Sequence, residues 1–359
     1  MPFTRRFFLY LFSATLALLL VPSLFAQDTW SFGVIPDTQW KMDPPFHGVA
    51  VHVIDAINDE FVRHKVDFVI QVGDLVDRVS PTAFPTRAAH NKVLSDAGIK
   101  FYPVRGNHDS RGLESISQFK EVFPNLPGTP SGGGSSPDLP GAAGMTYAFT
   151  HKNGKFICLD TFPLANDGSE NGKAYKPGDY LPWIEAELKK DDHHFAFVFA
   201  HKNLVGQNHK DNLFTSDGKD QDRYPEMQNA FYACLQRNGV RYFLSGHDHV
   251  YQRSQISSPD GKSELVQIMC GSASSKFYTP KPPFLEREKP LTQELKRVGF
   301  LIATVNSDRV RFDYYSTELF GDEPKKPTWK LQDSFGYTLD GKVFEETWEA
   351  MRKIVRPKE

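Results

Sequence analysis

Side chains that can bind metal ions collect in five short segments of this 359-residue chain, each directly after an apolar stretch. Carboxylate and imidazole groups together suit divalent first-row metals, and a carboxylate can bridge two ions. Two ions about 3.5–4 Å apart can activate a water and hold phosphoryl oxygens during an in-line displacement. The five segments supply donors for two such ions, with open positions left over: Asp37, Gln39, Asp74, Asn107, His201, His247 and His249.

Taken singly, these donors have plainer interpretations. Asp74 and the nearby Asp77 could cap a helix or lie in a solvated turn, and Gln39 could face solvent beside the site. One such cluster has an ordinary structural explanation, whereas five clusters in one chain favour a metal site.

The apolar stretches before the donors are typical of buried strands. We predict these strands at residues 31–35, 67–72, 100–104, 195–200 and 241–244. Apolar residues at helical spacing over 47–65 and 82–97 separate the first three strands, which predicts parallel βαβ units. The donors would then lie at the carboxyl ends of strands, where open α/β sheets carry their sites.

Later strand-like runs follow one another directly, which favours a mixed sheet, or two, over one parallel sheet. They lie at residues 146–150, 155–160, 264–270, 299–305 and 309–315, with helices predicted at 181–190 and 225–238. A loop rich in Gly, Pro and Ser at 124–144 and an excursion at 278–290 are expected to rim the cleft. We predict that residues 317–359 form a C-terminal wrapping tail, with a short amphipathic helix near 343–355.

The first 26 residues have the layout of an export signal peptide. Arg5 and Arg6 precede the 15 uncharged residues 7–21, and small and apolar residues continue to Ala26. The uncharged run is shorter than the ~20 residues that span a bilayer, so we predict cleavage, with a retained anchor as the alternative. The arginine pair resembles the twin-arginine type of signal. We therefore expect an exported protein, periplasmic or extracellular, without a stable membrane anchor after cleavage.

The composition is that of an ordinary globular protein. Lys and Arg number 42 against 44 Asp and Glu, a formal net charge of −2, and 40% of the residues are hydrophobic. Near-neutral charge argues against a nucleic-acid binder that works through a large basic surface. The three cysteines are an odd number outside the donor segments, which favours buried free thiols over a disulfide framework.

Five motifs, read in order, resemble those of the calcineurin-like metallophosphoesterases. They are Asp-x-Gln, Gly-Asp-x-x-Asp-Arg, Gly-Asn-His-Asp, Val-x-x-His and Gly-His-Asp-His, and the resemblance covers residues 30–316. The last two look most like the purple acid phosphatase branch. The resemblance implies an α/β (α+β) fold, a four-layer αββα sandwich with two mixed β-sheets.

The resemblance also implies a role for each residue. One metal ion would be held by Asp37, Gln39, Asp74 and His249, and the other by Asp74, Asn107, His201 and His247. Asp74 would bridge the two ions, and a metal-bridging hydroxide would be the nucleophile. His108 would protonate the leaving-group oxygen, Asp77 would hold His108 in the right tautomer, and Arg78 would bind phosphate.

Two departures from the family pattern affect the choice of metal. Gln39 stands where most of the superfamily has histidine, and an amide oxygen is a harder donor that favours manganese, magnesium or iron(II). Asp77 stands where purple acid phosphatases have tyrosine, so we expect no iron(III)–tyrosinate colour. The expected cofactors are two divalent ions, Mn²⁺, Fe²⁺ or Zn²⁺.

These inferences predict an exported, dinuclear-metal-dependent hydrolase of small phosphomonoesters. A phosphodiesterase or nucleotide diphosphatase of the same superfamily is an alternative within that class. A non-catalytic metal-binding surface protein is an alternative outside it.

Overall fold

Two β-sheets position the donor segments, in a computed structural model that describes residues 29–112, 114–164, 173–215, 220–280, 285–319 and 326–345. The strands in these ranges are β1 (Trp30–Ile35), β2 (Phe68–Val72), β3 (Lys100–Val104), β4 (Tyr147–His151), β5 (Gly154–Leu159), β6 (Pro163–Leu164), β7 (Lys173–Ala174), β8 (Phe195–Ala200), β9 (Tyr242–Ser245), β10 (Tyr251–Ser257), β11 (Glu264–Cys270), β12 (Glu288–Glu294), β13 (Val298–Val305), β14 (Arg309–Thr317), β15 (Lys330–Thr338) and β16 (Val343–Glu345). The helices are α1 (Val51–Arg63), α2 (Ala83–Ala89), α3 (Lys92–Asp96), α4 (Ser115–Val122), α5 (Pro177–Leu188) and α6 (Pro225–Arg237).

Both sheets are mixed, as expected. The first has the order β16-β15-β14-β13-β1-β2-β3, in which β1, β2 and β3 are parallel and the remaining pairs are antiparallel. The second has the order β12-β10-β11-β9-β8-β5-β4, with β5, β8, β9 and β11 parallel. Strands β6 and β7 pair with each other in a separate two-stranded sheet.

An aromatic core joins the two sheets face to face. Phe32 of β1 stacks on Phe68 of β2 at 5.4 Å between ring centroids, and it also meets Phe156 and Phe197 of the second sheet at 5.1 and 5.3 Å. Helix α1 packs on the outer face of the first sheet, and α5 and α6 pack on the second. The four-layer αββα sandwich predicted from the resemblance is confirmed.

The helix predicted at 82–97 is two helices, α2 and α3. The break falls at His90, whose backbone carbonyl accepts a hydrogen bond of 2.7 Å from the Asn58 side chain of α1. A tertiary hydrogen bond of this kind leaves no mark on the hydrophobic periodicity of the segment.

The C-terminal region contributes two strands that we did not predict. Strands β15 and β16, at 330–338 and 343–345, extend the first sheet from β14 within the stretch predicted as a wrapping tail. Only residues 334–337 of β15 are buried, so its apolar pattern is short. The helix predicted near 343–355 is wrong at 343–345, and its remainder lies outside the described residues.

The loop at 124–144 runs along the free edge of β4. Ser135 exchanges two backbone hydrogen bonds of 2.8 Å with Ala148 of β4, and its hydroxyl donates to Glu187 at the end of α5. At this point the loop covers a sheet edge, a common way to protect unpaired backbone groups, instead of rimming the cleft. The predicted signal peptide at 1–26 lies outside the described residues. Among the residues that are described, no helix is long and apolar enough to cross a membrane.

Candidate metal centre

The predicted donors meet where the two sheets bring strand ends together. Asp37 and Asp74 follow the neighbouring strands β1 and β2, and His201 follows β8 of the other sheet. All three side chains are buried, and one donor atom of each lies within 4.8 Å of the others. Two carboxylates at this spacing repel each other when both are charged, so the arrangement favours a cation between them.

One group of donors converges on Nε2 of His201. Oδ1 of Asn107 lies 3.0 Å from this atom, Nδ1 of His247 lies 3.1 Å from it, and Oδ1 of Asp74 lies 3.4 Å from it. The structure therefore brings together the four residues predicted for one ion.

The second group shares Asp74 with the first. Gln39 donates its side-chain amide to Asp74, and Nε2 of His249 lies 3.5 Å from Oδ1 of Asp37. The Oε1 atom of Gln39 is buried, and no described residue gives it a hydrogen-bond partner. A buried, unpaired acceptor is costly, and a cation at this position would satisfy it. Asp74 thus lies between the two groups, as a bridging ligand must.

Each histidine of the cluster has its second ring nitrogen held by a hydrogen bond. Nδ1 of His201 donates to the Val72 carbonyl at 2.9 Å, and Nδ1 of His249 donates to the carbonyl of Lys276 at 3.1 Å. Nε2 of His247 donates to Asp211 at 3.0 Å. Such partners select the tautomer whose free nitrogen faces the metal. Neither Lys276 nor Asp211 belongs to a motif of the sequence, so no sequence signal pointed to these two partners.

The backbone is strained where the donors converge. Asp74, His247 and His249 have φ values of 48°, 72° and 47°, in the left-handed region that costs a non-glycine residue about 1–3 kcal/mol. Gly106 and Gly246 let the chain pass close to the carboxylates. A Cβ atom at Gly106 would lie 2.1 Å from Asp74 Oδ1, and one at Gly246 would lie 2.5 Å from Asp37 Oδ2.

Two buried aspartates brace the loops around the donors. Asp109 accepts backbone hydrogen bonds from Leu75 and Gly106 at 3.0 and 2.8 Å, which ties the segment after β2 to the segment after β3. Asp248 accepts backbone hydrogen bonds from Gln207 and His209 at 2.5 and 2.8 Å. Both aspartates lie inside motifs of the sequence, but nothing in the sequence showed which backbone groups they hold.

Burial and mutual charge shift the titration of the cluster. Burial, with a further contribution from Asp74, raises the pKa of Asp37 to about 7. Burial opposes the charge of His201, but the Asp74 and Asp37 carboxylates outweigh it and raise the His201 pKa to about 9. Burial lowers the pKa of His249 to about 3. Without a metal ion, the proton on His201 therefore supplies the positive charge between the carboxylates.

The donor set fits two divalent cations. It combines carboxylate, amide and imidazole donors around a shared carboxylate, and it contains an otherwise unpaired buried oxygen at Gln39. A site of this kind, with ring nitrogens already oriented, can bind and polarise a phosphoryl group.

His108 lies at the edge of the cluster. Its backbone N–H donates to Asp74 Oδ1 at 2.9 Å, and its Nδ1 donates to the backbone carbonyl of Asp77 at 2.5 Å. The family resemblance predicts that the Asp77 carboxylate holds this tautomer, but its Oδ1 is 3.7 Å from Nδ1 and accepts a hydrogen bond from Lys276 instead. Arg78 is exposed, and its side chain makes no hydrogen bond or ion pair with the described residues.

Comparisons with known proteins agree with this geometry. The family model described as calcineurin-like phosphoesterase matches residues 31–251. Among solved structures, PhoD has a TM-score of 0.58 at 14% identity, with 89% of this chain and 72% of PhoD covered. A dimetal phosphatase from Danio rerio has a TM-score of 0.50 at 15% identity, with 84% and 98% covered. The purple acid phosphatase PPD1 from yellow lupin (Lupinus luteus) has a TM-score of 0.51 at 13% identity, with 87% and 54% covered. No curated protein has a matching sequence.

Proposed function

Because the chain belongs to the calcineurin-like phosphoesterase family and is a metal-dependent phosphoesterase, we propose that it hydrolyses small phosphomonoesters after export from the cytoplasm. One observation carries the proposal: Asp74, Asn107 and His247 converge on Nε2 of His201, and the backbone of His108 is bonded to the same Asp74. The proposed metal donors and the proposed proton donor thus lie around one carboxylate, that of Asp74.

The residues that would hold the metals are the two groups described above. Asp37, Gln39, Asp74 and His249 would hold one ion, and Asp74, Asn107, His201 and His247 the other. When bound, the two ions would activate the attacking water and neutralise charge on the phosphoryl oxygens. We propose Mn²⁺, Fe²⁺ or Zn²⁺, and the amide oxygen of Gln39 favours the harder ions of this group, Mn²⁺ and Fe²⁺.

His108 would act as the general acid. Its Nδ1 proton is committed to the Asp77 carbonyl, so the proton transferred to the leaving-group oxygen comes from Nε2. After transfer, the neutral ring keeps its Nδ1 proton, and the hydrogen bond to Asp77 stabilises that tautomer.

Arg78 would bind the phosphate of a monoester. Its guanidinium is exposed beside Asp77 and has no partner among the described residues, so it is free to pair with an anion. A terminal phosphate, which carries more charge than a diester, gains most from such a cation.

The test is an assay of the purified mature protein with added Mn²⁺. We expect hydrolysis of p-nitrophenyl phosphate, little hydrolysis of bis(p-nitrophenyl) phosphate, and about two metal ions per chain. Hydrolysis of the diester alone would replace the monoesterase with a diesterase. No hydrolysis of either compound would overturn the phosphomonoesterase proposal, and an intact N-terminus in the mass spectrum of the protein recovered outside the cytoplasm would overturn export by a cleaved signal.

A further inference from the structure

Lys276 connects the two sheets beside the metal centre. It lies in the segment between β11 and β12, and its half-buried side chain reaches across to the segment after β2. There its Nζ donates a hydrogen bond to Oδ1 of Asp77. Lys276 is therefore the cation that touches the residue supporting His108.

Asp77 is held at three points. Its backbone N–H donates to the Gly48 carbonyl at 2.8 Å, its own carbonyl accepts from His108 Nδ1, and its carboxylate accepts from Lys276. The carboxylate oxygen lies only 3.7 Å from His108 Nδ1. Without Lys276, this charged oxygen would compete with the carbonyl for the ring proton, and the ring could turn toward it.

The backbone carbonyl of Lys276 has a separate role, as a hydrogen-bond acceptor. Its carbonyl accepts hydrogen bonds from Nδ1 of His249 at 3.1 Å and from the Ser272 hydroxyl at 2.8 Å. Because the carbonyl is backbone, a substitution at position 276 leaves this support of His249 in place. Side-chain variants of Lys276 thus act on the Asp77–His108 pair and spare the donor set.

We propose that Lys276 is a positioning residue for His108: by neutralising and holding the Asp77 carboxylate, it leaves the Asp77 carbonyl as the partner of the imidazole and aims Nε2 at the leaving group. The role in catalysis rests on the proposed function, whereas the effect on the hydrogen bond and orientation of the imidazole does not. A residue that acts only through the general acid affects substrates in proportion to their need for a proton.

The kinetic test compares two leaving groups. For Lys276→Met, kcat on an alkyl phosphate, whose leaving oxygen is strongly basic, should fall about 10- to 100-fold. On p-nitrophenyl phosphate, whose leaving group needs little protonation, it should fall less than about 3-fold. Lys276→Arg should restore most of the alkyl phosphate activity. Lys262→Met, a change at an exposed lysine near the other end of the strands, is the matched control.

A second readout does not depend on activity. In the metal-free protein, NMR of the His108 ring should show a proton on Nδ1, and Lys276→Met should move the Nδ1–H resonance downfield, because the charged Asp77 carboxylate then replaces the carbonyl as the acceptor. Equal kinetic losses on both substrates, or an unchanged Nδ1–H resonance in Lys276→Met, would overturn the proposal. If the wild-type protein hydrolyses neither phosphate, the proposed function fails and the NMR result decides the role of Lys276 by itself.

Discussion

The two ends of the central strands share one core but bury different kinds of side chain. At the carboxyl ends, Asp37, Asp74 and His201 are packed within 4.8 Å of one another, next to residues with left-handed backbone. At the amino ends, a cavity of about 780 Å³ has walls of mixed polar and apolar residues, which include Phe195 and Leu265. Three of its lining residues, Leu291, Leu339 and Val343, are 47%, 53% and 50% exposed.

The charged groups at the amino ends have ordinary partners. Arg241, which lines the cavity, donates to the carbonyl of Gly341 at 2.6 Å, and its guanidinium lies 5.6 Å from the ring centroid of Tyr337. A cavity by itself therefore does not mark the site. The better indicator of a functional site is a cluster of buried charged groups that destabilise one another until a cation is bound. Such a cluster lies at the carboxyl ends of the strands.

Replacing the shared carboxylate should have the largest effect. Asp74→Asn keeps the shape of the side chain but removes the charge that both groups of donors use, so activity should fall to the uncatalysed background. Metal analysis should find about one ion or fewer per chain. Retention of two ions with full activity would contradict the bridging position of Asp74.

Removing the general acid should have the next largest effect. His108→Ala should lower kcat on an alkyl phosphate about 100- to 10,000-fold, the usual contribution of a positioned proton donor. Metal content should stay at the wild-type value, because the imidazole is not one of the proposed donors. Full activity in this variant would remove His108 from the mechanism.

Weakening the hydrogen-bond partner of a metal donor should have an intermediate effect, seen in the metal affinity. Asp211→Asn removes the charge that Nε2 of His247 faces, so metal affinity should fall about 10- to 100-fold in a competition titration with a chelator. Asp340→Asn, at the amino-end cavity, makes the same chemical change and should leave the affinity as it is. Equal losses of metal affinity in the two variants would contradict a specific role of Asp211 at the carboxyl ends.

Raising the pH should destabilise the metal-free protein. The pKa of His201 rises from 6.5 to about 9 on folding, so the stability due to its proton is complete below pH 6.5 and is lost as the pH approaches about 9. Between pH 7 and pH 9 the unfolding temperature should fall by roughly 4–8 °C, the change that about 2 kcal/mol produces in a large domain. The metal-loaded protein is the control and should not show this change.

The smallest effect is expected at the amino ends. Leu339→Ser and Val343→Ser shorten exposed side chains at the cavity, and surface changes of this kind usually alter stability by less than about 0.5 kcal/mol. Activity should stay within about 2-fold of the wild type, measured with p-nitrophenyl phosphate. A large loss of activity would show that the two ends are coupled.

Much of the scaffold could be predicted from local pattern. The strands before the five donor segments are present nearly as predicted, since each is a short apolar run that ends at a polar turn. Strands β15 and β16 escaped prediction because most of β15 is half-exposed and β16 has only three residues. At the break between α2 and α3, the His90 carbonyl accepts a hydrogen bond from Asn58, a residue of another helix.

The order of the donors and the type of each donor atom were determined by the sequence alone, because strand ends and turn motifs are local. Only the tertiary structure decided which atoms meet. Lys276 is 199 residues from Asp77, and Val72 is 129 residues from the His201 ring that it orients. These contacts form because two sheets pack with their strand ends together, and side-chain periodicity carries no record of that packing.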